Sequence, residues 1–109
     1  MNPRTARISA LGLARRTGDV ATGFEKVRAM LAEGAAAALI NAADGGEDGR
    51  WKLEGAAGDA VVVMLFEEAE LAGALGRDEP TVHVAVKKGA AAQRFLNAAR
   101  RLEGFRSGA

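Results

Sequence analysis

Ala36-Ala-Ala-Leu-Ile40, Arg50-Trp-Lys-Leu53 and Ala60-Val-Val-Val-Met-Leu-Phe66 follow one another through the middle of the chain. The first and third are short apolar runs, the third rich in β-branched residues, and each reads as a buried strand. Between them, acidic residues and glycines from Asp44 to Gly58 punctuate the chain and frame a short helix around Arg50–Leu53. Strand, helix, strand is the result. Because the apolar runs are uninterrupted rather than alternating, they predict strands covered on both faces, in a mostly parallel sheet.

Working outward, Glu67–Leu75 reads as a helix stopped by Gly76, and Thr81-Val-His-Val-Ala-Val86 as a third strand. Ala92, Phe95, Leu96, Ala99 and Leu102 then mark a C-terminal helix, with Arg94, Arg100 and Arg101 on its polar sides. Toward the N-terminus, Ile8, Leu11, Leu13 and Ala14 form a helical stripe that ends near Thr17-Gly18. A second helix follows. Thr22 stands three residues before Glu25 and opens a run with Phe24, Val27, Met30 and Leu31 apolar, up to a stop at Gly34. The expected fold class is α/β, a three-layer α/β/α sandwich with a small mixed, mostly parallel sheet. Residues 1–109 are expected to form a single domain, alone or as part of a longer protein.

Composition narrows the function. The chain has no cysteine, which excludes disulfides and thiolate metal sites, and its apolar runs fall well short of the ~18 residues that span a bilayer. A cytoplasmic protein without a membrane anchor is expected. The net charge of +1 hides an uneven partition. Residues 1–28 carry six Arg/Lys against two Asp/Glu, residues 29–79 three against eleven, and residues 80–109 six against one. Two basic ends flank an acidic middle, and a fold that joined the ends would present one positive face to a polyanion.

Catalytic signatures are missing. No Gly-x-Ser-x-Gly elbow, phosphate-binding Walker loop, dinucleotide fingerprint or His-Glu-x-x-His occurs. The one histidine, His83, sits between two valines and reads as structural or surface-exposed. Glu67, Glu68 and Glu70 read as complements to a helix dipole. Trp51 is expected to lie as a lid on the core. No enzyme activity and no cofactor are expected.

A polyanion site is better supported. With Thr22 as N-cap, the amides of Gly23, Phe24 and Glu25 would lack intrahelical partners and carry the positive end of the dipole. Arg15, Arg16, Lys26 and Arg28 lie within a turn or two of that point and add charge. Aromatic residues are too few for a base-stacking sheet. Recognition through helix ends and loops remains.

These motifs resemble the kink-turn-binding ribosomal protein superfamily, the L-seven-Ae and L-thirty-e group. The pattern is most similar to bacterial YlxQ-type members and to the domain that follows a YlxR domain in some nucleic-acid-binding proteins. Three segments carry the resemblance: Leu11-Gly-Leu-Ala-Arg-Arg-Thr-Gly18 with Thr22-Gly23, Ala43-Asp44 with Trp51-Lys-Leu53, and Glu70-Leu-Ala-Gly-Ala-Leu-Gly76. The resemblance implies that the helix after Gly23 faces RNA and that the loop after Gly76 also contacts it, through Arg77 and Thr81. The family's Gly-x-Asn-x-x-x-Lys is represented here by Gly23, Glu25 and Ala29, so two of its polar contacts are altered. Candidate RNA-binding residues are therefore Arg15, Arg16, Thr22, Gly23, Glu25, Lys26, Arg28, Gly76, Arg77 and Thr81. The expected partner is ribosomal or other structured RNA, with a fused or neighbouring nucleic-acid-binding domain in some settings. The alternative expectation is a protein-interaction domain that kept the fold and lost RNA recognition. A small enzyme using carboxylates at a strand-end crevice is a third, weaker one.

Overall fold

The computed structural model describes the backbone of residues 3–108 and the side chains of residues 5–100. Arg101 and Leu102, assigned above to the polar and apolar sides of the last helix, have side chains outside that range. Five helices and four strands follow in the order α1 (Pro3–Arg16), β1 (Val20–Thr22), α2 (Phe24–Ala32), β2 (Ala36–Asn41), α3 (Glu47–Gly55), β3 (Val61–Val63), α4 (Glu68–Ala74), β4 (His83–Lys87) and α5 (Ala90–Gly108).

The strands form one sheet in the order β1-β4-β2-β3. Helices cover both faces. Strand alternation divides the core: Ala38, Ile40, Val84 and Val86 meet α1, α4 and α5, where Leu11, Leu71, Leu75 and Phe95 are fully buried or nearly so. On the opposite face Leu39 and Ala85 meet Val27 and Leu31 of α2 and Leu53 of α3. Arg7 is buried in the first layer, its guanidinium 5.4 Å from the Phe66 ring centre. α1 packs along α5 more extensively than any other two elements pack together, so the two basic ends of the chain are neighbours. No helix among the described residues is long and apolar enough to cross a membrane.

The α/β class and three-layer arrangement match the expectation, but the strand directions differ from it. β2 and β3 are parallel, joined across α3, whereas β4 runs antiparallel to both β1 and β2. Only one pairing of three is parallel. The reason lies in the connection after β3. Ala43 donates to the Phe66 carbonyl (2.8 Å) and Ala42 to the Val82 carbonyl (2.8 Å), which places the start and end of the α4 segment at the same end of the sheet. A seven-residue helix reversed at Gly76 does not carry the chain back across the sheet. β4 therefore starts where β2 and β3 finish and runs the other way, Asn41 pairing with His83.

Two further expectations are corrected. The chain between α1 and α2 forms a strand, β1, too short to show any periodicity and held by pairing Val20, Ala21 and Thr22 with Val86, Ala85 and Val84. Trp51 is no core lid: it is 61% exposed, because Leu53 fills the buried position of α3.

Candidate functional site

Gly23 joins β1 to α2 in a conformation (φ 88°, ψ 152°) that is essentially confined to glycine. Its amide donates to the His83 carbonyl at 3.2 Å, finishing the β1–β4 pairing, while its carbonyl accepts the first helical bond from Val27 at 3.0 Å. Gly23 is thus the N-cap, and the amides of Phe24, Glu25 and Lys26 precede the helical ladder. This corrects the assignment of Thr22 as cap with Glu25 as its capping-box partner. Thr22 is the last residue of the strand, and the Glu25 carboxylate pairs with Arg28 at 2.9 Å. No atom lies within 4 Å of where a Gly23 Cβ would stand, so the penalty for a side chain is conformational alone. Gly23→Ala should lower stability by about 1–2 kcal/mol, which chemical denaturation would measure. A variant as stable as the parent would mean the turn relaxes.

The second wall comes from the turn after α4. Gly76 adopts φ 63°, its amide donating to the Gly73 carbonyl (3.2 Å) and that of Arg77 to the Ala72 carbonyl (2.8 Å), a Schellman closure of α4. The turn throws Arg77 toward β1, where its Nη1 donates to Thr22 Oγ1 at 3.0 Å across 55 residues of sequence. Arg15, from the last turn of α1, lies against Gly76, its guanidinium 3.5 Å from a Cβ placed there. Thr81 is buried and donates to the Glu79 carbonyl at 3.3 Å, bracing the loop from inside. Thr22, Gly23, Phe24, Arg77, Pro80, Thr81, Val82 and His83 together line a cleft of about 280 Å³. Arg77 also borders a second, acidic hollow that holds Asp44, Glu68 and Asp78.

Beneath the cleft runs a polar chain. Asn41, fully buried, donates through Nδ2 to Glu54 Oε2 (3.3 Å), which leaves its Oδ1 toward His83 Nδ1 at 2.8 Å. An amide oxygen only accepts, so His83 carries its proton on Nδ1. Glu54 is held in turn by Arg50 at 3.6 Å. The other ring nitrogen faces Gly49, where a Cβ would come within 2.9 Å, and Phe24 meets the ring edge-on with centroids 6.0 Å apart. Burial pushes the His83 pKa below its ordinary value, favouring the neutral ring.

The structure brings together Thr22, Gly23, Gly76, Arg77 and Thr81, with Arg15 beside them. Lys26 and Arg28 are exposed on the first turns of α2. Arg16 is not at this site: it lines a separate groove between α1 and α5 with Arg94. Phe24 and His83 were missed as cleft residues, because Phe24 fits the apolar stripe of α2 and His83 the interior of a strand. A signal existed in the sequence: His83 and Asn41 are polar residues at the ends of two apolar runs that pair in the sheet. Among the described residues no three His, Cys, Asp or Glu side chains converge to hold a metal ion.

No protein-family model matches the chain, and no curated protein is similar to it in sequence. Solved structures do match. A protein of unknown function from Bacillus halodurans superposes with a TM-score of 0.79 at 25% identity, over 86% of this chain and 96% of its own. The 15.5 kD RNA-binding protein of Giardia lamblia superposes with a TM-score of 0.74 at 16% identity, over 95% of this chain and 91% of its own. At 16% identity the second match establishes a shared fold.

Proposed function

We propose that this chain is a non-catalytic RNA-binding module that grips structured RNA, ribosomal or of the kink-turn kind, at the cleft between the start of α2 and the loop after Gly76. The observation that carries this reading is the Arg77–Thr22 contact. Two segments far apart in sequence, each pointing to RNA for its own reasons, meet there in one cleft. The fold shared with an RNA-binding protein of Giardia supports it. The amides of Phe24, Glu25 and Lys26 offer donors and a positive dipole end, and Arg15, Lys26 and Arg77 supply charge for phosphates. Arg28 contributes less, because Glu25 already neutralises it. With Glu25 in place of an amide and Ala29 in place of a lysine, the site holds the backbone and shape of an RNA more than its base edges.

Titration of a labelled helix–internal loop–helix RNA against the protein at several salt concentrations tests the reading. Three neutralised phosphates predict that log affinity falls by about 2–3 per decade of salt. Affinity that is flat across salt, or absent at low salt, overturns it.

A further inference from the structure

A groove follows the seam where α1 packs along α5. Ala6, Ala10, Leu13 and Ala98 line one hollow of about 360 Å³ together with Arg16 and Arg94. A second hollow of about 310 Å³ shares Leu13 and Arg94 with the first and continues to Thr17 and Ala90. Ala6 meets Ala98 at one end of the groove and Thr17 meets Ala90 at the other, so the two helices run antiparallel. Alanine has no atom beyond Cβ, so helices that meet through alanines leave a channel above the seam. Ala6, Ala10 and Leu13 are half-buried, and their apolar surface faces that channel. From Ala6 to Arg16 the channel is about 15 Å long, nearly three turns of a helix laid along it.

Charge on the groove itself selects the occupant. Arg16 and Arg94 are exposed and line the same hollow, and among the described residues neither guanidinium has an ion-pair or hydrogen-bond partner. Arg16 suits the negative end of the α1 dipole. Arg94 has no such local reason: it stands one turn into α5, near the positive end of that dipole, and the first turn holds no acidic residue. Two like charges on one hollow repel, and a carboxylate between them relieves both. RNA fits this groove poorly. The floor is apolar, only two cations border it, and the carboxylate of Asp19, which accepts from Thr17 at 2.7 Å, stands at the far end. A second copy of the chain laid groove to groove would bring four arginines together.

We infer that this groove docks an acidic amphipathic helix of a partner protein. Its apolar stripe covers Ala6, Ala10 and Leu13, and its carboxylates pair with Arg16 and Arg94. Arg15 and Arg16 point to different sides of α1, one over Gly76 and the other on the groove, so the partner and an RNA at the cleft occupy separate faces. This inference does not depend on the RNA reading.

Amide shifts in nuclear magnetic resonance locate the contact. The full chain is titrated with a helix-forming peptide of about four turns, its leucines recurring every third and fourth residue, flanked by glutamates and filled with alanine. A counterpart replaces the glutamates by lysine. Saturable shifts along α1 and α5 with the glutamate peptide only, with Gly23 and Arg77 unmoved, support the inference. The double variant Arg16→Glu/Arg94→Glu should weaken that peptide by about tenfold and gain binding of the lysine peptide. Both arginines are exposed, and a circular dichroism spectrum matching the parent's confirms that the variant folds. Four results overturn it: no shifts along the groove, equal shifts with both peptides, the same shifts produced by a structured RNA, or concentration-dependent shifts without peptide accompanied by a doubled mass in sedimentation.

Discussion

Arg77→Ala will weaken binding of a structured RNA by about tenfold and reduce the slope of log affinity against log salt by about 0.7–0.9, the signature of one lost phosphate contact. The Schellman turn at Gly76 fixes where the Arg77 backbone leaves α4, and the bond to Thr22 fixes where the guanidinium ends. One of its five N–H donors serves that bond, so the others remain to face the cleft. Preorganisation of this kind lowers the side-chain entropy lost on binding. Arg77→Lys restores charge without the planar fork, and should recover the salt slope more fully than the affinity. The comparison that decides the matter is Arg16→Ala. It removes the same charge from the groove between α1 and α5, and should leave affinity within about twofold of the parent, since an exposed charge that makes no direct contact is weakened by salt screening. Equal losses in the two variants would mean that RNA reads net charge rather than this cleft. All these side chains are exposed, so stability should stay within about 0.5 kcal/mol throughout.

The contrast between Arg15 and Arg16 also explains what could be read from the residues and what could not. Adjacent in sequence, they lie about 100° apart around α1, one over Gly76 and the other against α5. Charge counts treat them alike, and only the packing of α1 separates them. The same applies to Thr22. Its spacing to Glu25 satisfies a capping box, but backbone pairing with β4 claims Thr22 for a three-residue strand and moves the cap to Gly23. Tertiary hydrogen bonds outweighed the local pattern. Elements with long periodic faces, such as α1, α2 and α5, were legible, as were the apolar runs of β2 and β4. Strand direction was not, because it depends on where α4 delivers the chain, and the apolar runs look the same whichever way they pair.

Asn41→Leu tests the polar chain under the cleft and is expected to destabilise the fold by about 3 kcal/mol, lowering the melting temperature by roughly 13 °C. The side chains are similar in volume, so packing changes little. What changes is satisfaction: the Nδ1–H of the half-buried His83 loses the acceptor supplied by the fully buried Asn41, and Glu54 loses a donor. The pH profile separates this from a general loss of packing. Burial lowers the His83 pKa in the folded chain, so between the folded value and the ordinary value of about 6.5 the unfolded chain binds more protons. Stability therefore rises with pH through that window, levels off above it, and is reduced on the acid side. The proton gained on acidification goes to Nε2, which faces Gly49 rather than Asn41. Asn41→Leu should accordingly lower the curve at every pH while keeping its rise, whereas His83→Gln should flatten the rise. Melts of the three proteins from about pH 5 to 8 decide between these outcomes. If Asn41→Leu melts within a degree or two of the parent, the buried chain of hydrogen bonds does not hold β2 and β4 in register, and the position of His83 in the cleft needs another cause.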